Sequence, residues 1–241
     1  MKKLTLALLL VTVLISCNKS EEKEPATSTP AYVCPTCTTA PEAKAEHDNS
    51  SGGVYKGIMV GSSGVVALYL FNTGTEVKML VTFDGKNTTL VTTSLSGWAP
   101  GQAITGATFT GTLDGQAIAV VFSVNANGQN PTMVAAIPGH TVKVAIYKET
   151  STMMVKNYEG THEGTNPSDN GTFNMTFHGD NFSIVTSGRD EPFVGKLVNG
   201  SIDMVADNVE IKGSFSGDDV SGTWKNNNSN THGTWKGKRT M

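Results

Sequence analysis

The sequence predicts an all-β protein, an antiparallel barrel or sandwich with two quasi-repeated halves, and three observations carry that expectation. From Val54 to the C-terminus, short apolar and β-branched runs alternate with turn residues at close spacing. The breaks carry hairpin chemistry: Asp84-Gly85, Asp114-Gly115, Asn127-Gly128, Gly179-Asp180-Asn181, Asn199-Gly200 and Asp218-Asp219. No stretch holds apolar residues at the 3.6-residue period of an amphipathic helix.

Strands are expected near 54–60, 64–72, 76–83, 87–94, 104–111, 117–125, 132–137 and 140–148. A second set is expected near 154–160, 171–178, 181–187, 192–197, 200–205, 208–216, 219–225 and 232–239. Phe173, Met175 and Phe177 alternate with Asn174, Thr176 and His178, which predicts one wet face. The runs Gly64–Phe71 and Ala117–Phe122 are apolar at every position and predict strands covered on both faces. The two halves are expected over 53–152 and 153–241. Three short motifs recur in order between them: Tyr55-Lys56-Gly57 with Tyr158-Glu159-Gly160, Phe83-Asp84-Gly85-Lys86-Asn87 with Phe177-His178-Gly179-Asp180-Asn181, and Phe109-Thr110-Gly111 with Phe215-Ser216-Gly217. Their spacings differ, so common descent and independent hairpin chemistry both stand.

The C-terminus carries a sharper repeat. Ser221-Gly222-Thr223-Trp224-Lys225 is followed by His232-Gly233-Thr234-Trp235-Lys236, with an Asn-rich loop between, which predicts a closing hairpin. Glycine beside a large ring lets a second backbone or ring approach closely. These strands resemble the Gly-x-Trp strands that end many bacterial lipocalin-like and avidin-like barrels. Two roles follow for the tryptophans. Either they cap a packed core, or Trp224 and Trp235, with Phe173 and Phe177, line a pocket for a flat hydrophobic or glycan ligand.

Residues 17–52 read as a tether. They hold Pro25, Pro30, Pro35 and Pro41, many Ser, Thr, Ala and Glu residues, and a single aromatic, Tyr32. Such a composition buries too little apolar area to offset its ordering entropy, so disorder is expected. A flexible coil of this length spans roughly 30–35 Å. Cys34 and Cys37 stand in it as Cys-Pro-Thr-Cys. In an exported chain a local disulfide is the preferred reading. Thr38 stands where covalent haem attachment needs a histidine, and a zinc site would find only His47 nearby, so no cofactor or metal is expected.

The first residues explain why export is expected. Met1-Lys2-Lys3 precedes an apolar run from Leu4 to Ile15, then Ser16 and Cys17. About a dozen apolar residues fall short of the roughly 20 that span a bilayer. The segment resembles a bacterial lipoprotein signal, whose lipobox Leu14, Ser16 and Cys17 match. The resemblance implies that residues 1–16 are removed and that Cys17 is acylated and becomes the mature N-terminus. The other reading is an ordinary secretory signal with a chance cysteine. Asn18-Lys19-Ser20-Glu21-Glu22-Lys23-Glu24 looks like the acidic segment that follows the lipidated cysteine in surface-exposed lipoproteins of Bacteroidota. That implies an outer-membrane protein facing outward; a plain soluble linker is the alternative.

Composition bounds the rest. The chain has 241 residues, 38% of them hydrophobic, with 26 glycines, enough for a core and rich in turns. The formal net charge is -3, which gives no electrostatic footprint for nucleic acid. Membrane attachment must then come from acyl chains, at about 0.8 kcal/mol per buried CH₂. No Gly-x-Ser-x-Gly nucleophile elbow is present, and His162-Glu163 lacks the second histidine of a zinc protease. His47, His140, His162, His178 and His232 are scattered singly. Asp190-Glu191 and Asp218-Asp219 are the nearest approach to paired acids, but adjacent strand residues point to opposite faces. The expectation is a lipid-anchored ligand-binding or structural β module. A secreted glycan or lipid hydrolase and an accessory subunit of a membrane complex are the alternatives.

Overall fold

A computed structural model describes residues 31–60, 63–187, 189 and 191–241. The signal segment 1–16 and the expected lipidation site Cys17 lie outside the described residues. Sixteen antiparallel strands account for the fold: β1 (Gly53–Val60), β2 (Gly64–Leu70), β3 (Val77–Phe83), β4 (Lys86–Leu90), β5 (Ile104–Leu113), β6 (Gln116–Val124), β7 (Thr132–Ala136), β8 (Lys143–Glu149), β9 (Val155–Gly164), β10 (Gly171–His178), β11 (Asn181–Thr186), β12 (Phe193–Lys196), β13 (Ile202–Ala206), β14 (Val209–Ser216), β15 (Asp219–Asn226) and β16 (His232–Arg239). Among the described residues the helical elements are two 3₁₀ turns, Ala45–His47 and Pro167–Asp169. The protein is therefore all-β, as its turn chemistry requires. Asp84-Gly85, Asp114-Gly115 and Asn199-Gly200 each hold both residues at positive φ, the geometry of two-residue hairpins.

The second eight strands form one sheet, ordered β12-β11-β10-β9-β16-β15-β14-β13. Pairing of β9 with β16 rolls this meander into a nearly closed barrel. The remaining seam, between β12 and β13, is joined by the Val198–Ser201 bridge at their turn. The first eight strands follow the same up-and-down order, with β1 paired to β8, but split into sheets β4-β3-β2-β1-β8 and β5-β6-β7. A Val91–Thr110 bridge links β4 to β5. Tyr55, Leu68, Phe83, Phe109 and Phe122 pack these strands around one interior, and a separate core lies inside the second barrel.

The equivalence of strand order clarifies the recurring motifs. Tyr55-Lys56-Gly57 and Tyr158-Glu159-Gly160 lie on β1 and β9, the first strand of each set. The other two pairs fall on non-equivalent strands. Phe83–Asn87 spans the β3–β4 turn and Phe177–Asn181 the β10–β11 turn, while Phe109 lies in β5 and Phe215 in β14. Those similarities come from hairpin chemistry, since any tight turn draws on the same few residues.

Two expectations about strand faces change. Asn174 and Thr176 are buried, not wet, because the outer face of β9–β11 packs on β1 and β8. Asn174 Nδ2 donates to the carbonyls of Met59 (3.2 Å) and Gly64 (3.1 Å), and Asn157 Nδ2 to that of Gly57 (2.9 Å). Tyr147 and Ser183 share a hydroxyl hydrogen bond of 2.9 Å, and Ile58 meets Val185. Polar alternation marks a solvent face only when nothing docks on it; here the amide N–H groups find strand carbonyls, while Asn157 Oδ1 and Thr176 Oγ1 stay buried with no partner among the described residues. Conversely, β6 is covered on one face alone: Val121 is exposed. Alanines and single valines at a surface are ordinary, so an unbroken apolar run was weak support for two-sided cover.

The tether expected over 17–52 is a strap, not a free coil, from residue 31 onward. Cys34, Ala43, His47 and Ser51 are buried, and Cys34 and Cys37 are joined as a disulfide. The strap begins on the β14–β15 turn of the second barrel. There Asp218 accepts from the Cys34 N–H (2.8 Å), Asp219 from the Tyr32 N–H (3.2 Å), and Arg239 donates to Thr38 O (2.6 Å). It then crosses the first half. Lys56 Nζ lies 2.7 Å from Glu42 and 2.9 Å from Glu149, with the Lys56 and Glu149 side chains 1% and 0% exposed. Glu149 also accepts from the N–H groups of Glu42 (2.6 Å) and Val155 (3.0 Å). Composition missed this because the strap is held by specific backbone and ionic contacts, not by apolar area.

Candidate functional site

The inward faces of β9–β16 decide where the second barrel is full and where it is open. At the end carrying the β10–β11 and β14–β15 turns, Phe177 meets Tyr158 (ring centroids 5.5 Å apart), Phe182 (5.6 Å) and Phe215 (5.1 Å), mostly edge to face. This aromatic layer closes the barrel beneath the strap. Above it, register sets large rings opposite glycines: Phe173 faces Gly160, and Trp235 faces Gly222. A Cβ on Gly160 would sit 2.6 Å from Phe173, and one on Gly213 only 2.2 Å from Trp235. The glycines are therefore recesses that let each ring lie along the wall.

Because the rings lie flat against the wall, the opposite end stays open. It holds a cavity of about 310 Å³, within the usual range for small-molecule sites. Its depths are formed by Phe173, Met175, Ile184, Ile211 and Trp235, and Phe193, Val209 and Trp224 stand above them. Around the rim come Asp169, Thr186, Arg189, Asn226, Ser229 and Thr231, and His162, paired with Trp235 across β9 and β16, lies in the wall edge-on to Trp224. Both indole N–H groups are committed to the wall: Trp224 donates to Glu163 O (3.2 Å) and Trp235 to Thr223 O (3.1 Å). What the tryptophans offer a ligand is ring surface.

The rim's polar groups are largely occupied with one another. Asn226 Oδ1 accepts from the N–H groups of Asn228 (2.9 Å) and Ser229 (3.3 Å), and the Ser229 and Thr231 hydroxyls pair at 2.9 Å. Asp169 Oδ2 accepts from the Asn166 backbone and side chain, both at 3.1 Å. His162 Nδ1–H donates to the Asp169 carbonyl (2.9 Å), while its buried Nε2 has no partner among the described residues. Arg189 is held three ways: 2.6 Å to Asp207, 3.2 Å from Nε to Glu191 O, and 4.0 Å above the Phe193 ring.

Of the pocket residues named from sequence, Phe173, Trp224 and Trp235 line the cavity. Phe177 does not. Its ring lies in the closing layer, one inward position further from the mouth than Met175. His162, read as one scattered histidine, lies in the cavity wall, and Arg189 and Asp169 were not anticipated at all. Strand alternation carried a usable signal for His162, two positions from Gly160 and four from Tyr158. Arg189 and Asp169 lie in connections, where no period applies. Cys34 and Cys37 sit in the strap at the opposite end. Asp218 and Asp219, considered as an acid pair, also lie there, tied to the strap, and Glu191 does not line the cavity. Among the described residues, no cluster of metal-binding side chains forms.

No known protein family matches the chain, and neither does any curated protein or solved structure.

Proposed function

We propose that the protein is a lipid-anchored module of the bacterial outer membrane, facing outward, whose second barrel binds a small, predominantly apolar ligand at its open end. The first half and the strap act as its support. One observation carries the binding reading: a cavity of about 310 Å³ walled by Phe173, Trp224 and Trp235 in a barrel otherwise packed with aromatic side chains. Evenly filled barrels need no such hollow, and an apolar cavity open to water costs free energy that ligand burial would recover. The anchor rests on Leu14-Ile15-Ser16-Cys17.

Two measurements test this. Native mass spectrometry of the untruncated protein should find a small molecule that Trp235→Ala releases. The absence of any bound species, together with unchanged tryptophan fluorescence across a panel of apolar compounds, would remove the binding reading. Labelling with a radioactive fatty acid should mark the wild-type chain and not Cys17→Ala; undiminished label in the variant would remove the anchor.

A further inference from the structure

The cavity's electrostatics and its committed hydrogen bonds narrow the ligand further, resting on the binding reading above. We propose that the site takes a compact organic cation, an aryl- or alicyclic-ammonium ion, seated on the faces of Trp224, Trp235 and Phe173 with its charge toward the Asp169 side of the rim.

Shape comes first. The layer of Phe177, Phe182 and Phe215 blocks the barrel, so a ligand can reach from the rim past the Trp235 and Phe173 rings only as far as Met175. On β10, Gly171 at the mouth end to Met175 is four residues, about 13 Å of strand. With the usual 35–45° tilt of barrel strands, that is about 10 Å of depth. A long acyl chain does not fit such a space; a ring bearing a short substituent does.

Hydrogen bonding comes second. A sugar needs several free donors and acceptors converging on its hydroxyls. Here both indole N–H groups, Asn226 Oδ1, the Ser229–Thr231 hydroxyl pair and Asp169 Oδ2 already serve the protein's own loops. At the rim Asp169 Oδ1 stays free, and in the wall one buried polar atom, His162 Nε2, has no partner among the described residues; over the rest of the wall, recognition is left to ring faces.

Charge comes third. An anion entering the mouth would find Arg189 as its cation, and that guanidinium is already neutralised by Asp207 at 2.6 Å and stacked on Phe193 at 4.0 Å. In the β9–β10 connection on the rim, the Asp169 carboxylate has no cationic partner among the described residues. Elsewhere on the rim, Arg189 is a cation already seated on an aromatic ring, Phe193, beside a carboxylate, Asp207. Ring faces attract cations through their quadrupoles, most strongly indole, and a neighbouring carboxylate adds to the attraction. Neutral and anionic ligands gain neither.

The experiment compares three probes of similar shape on the full chain: benzyltrimethylammonium, its uncharged isostere neopentylbenzene, and phenylacetate. Binding is read by tryptophan fluorescence and calorimetry. The expected result is that the cation binds about threefold to thirtyfold tighter than the isostere, with phenylacetate weakest. Added salt and Asp169→Asn should each shrink that advantage, with circular dichroism confirming that the variant is folded. Equal or tighter binding of neopentylbenzene, or tightest binding of phenylacetate, overturns the cation inference and leaves the cavity as a binding site. Failure of all three to bind overturns this inference together with the reading on which it rests.

Discussion

Gly213→Ala tests the physical device that shapes the cavity. Gly213 lies on β14 at an inward position, opposite Gly222 and Ile202. A methyl group there would approach Trp235 Cζ2 to 2.2 Å and Cη2 to 2.4 Å, with the Ser221 carbonyl 2.8 Å away. Real carbon contacts begin near 3.5 Å, so the indole must move by about an ångström. It is pinned on the far side by Phe173, edge to face at 5.6 Å, and by its N–H bond to Thr223 O. Overpacking of this kind costs about 1–3 kcal/mol. Replacing glycine within a strand returns roughly 0.5–1 kcal/mol of backbone entropy. A clash more than an ångström deep puts the overpacking at about 2–3 kcal/mol, so the net destabilisation should be about 1–2.5 kcal/mol, or roughly 2–10 °C in Tm for a domain of this size. Urea denaturation of Gly213→Ala, Trp235→Phe and the double variant supplies the assay. The smaller ring should relieve the clash, giving a coupling of about 1–2 kcal/mol. If Gly213→Ala is neutral, or its cost is unchanged with phenylalanine at 235, the glycine recess is not what positions the ring.

Other expected outcomes follow from the buried groups. Lys56→Met leaves the Glu149 carboxylate buried without its cation and should cost about 3–5 kcal/mol in chemical denaturation; a loss under 1 kcal/mol would mean that water reaches the pair. Burial, partly opposed by the Asp48 carboxylate, holds Lys148 at about 8, well below an ordinary ammonium. From about pH 8 upward the unfolded chain therefore keeps a proton that the folded chain has released, and stability contributed at this site rises with pH. The wild type should gain on Lys148→Met between about pH 8 and 10, after which Tyr55, whose phenol burial pushes up, favours unfolding as its unfolded counterpart ionises; a constant difference across that range would contradict this. Burial acts to raise the Asp218 carboxyl, but the Cys34 N–H and Arg239 outweigh it and hold the group below its usual range. Its contribution is present above the ordinary carboxylate pKa and lost as pH falls below it, so strap release, followed by limited proteolysis, should begin below about pH 4, and Asp218→Asn should show it at neutral pH; equal protection of the variant would show that other contacts hold the strap.

Much of the architecture was legible because hairpin proteins write their turns into the chain. Each expected strand has an observed counterpart, most ends agreeing within one or two residues, as with 171–178 and β10. The widest discrepancies, at β4, β8 and β9, fall where β-branched residues continue past the last ladder pair or where the ladder outlasts them. The candidate site was legible in part. Trp224 and Trp235 announced themselves through ring size and neighbouring glycines and Phe173 through strand alternation, whereas Phe177, in the same alternation, fills the floor instead. Nothing within β10 distinguishes Phe173 from Phe177; their difference is set by which end of the barrel the aromatic layer of β9, β11 and β14 closes.

The sequence by itself determined the β class, the approximate strand positions set by successive tight turns, and the closing hairpin of the two Gly-Thr-Trp-Lys strands, since these depend on contacts within a few residues or on backbone conformations that only certain side chains allow. Only the tertiary structure decided that the polar face of β10 is buried, that Cys34 and Glu42 belong to a strap, and that Arg189, Asp169 and His162 meet around one mouth. Each of these depends on which distant surfaces touch, with Cys34 and Asp218 lying 184 residues apart. Such contacts arise from the balance of packing over the whole chain, and no local window of residues encodes them.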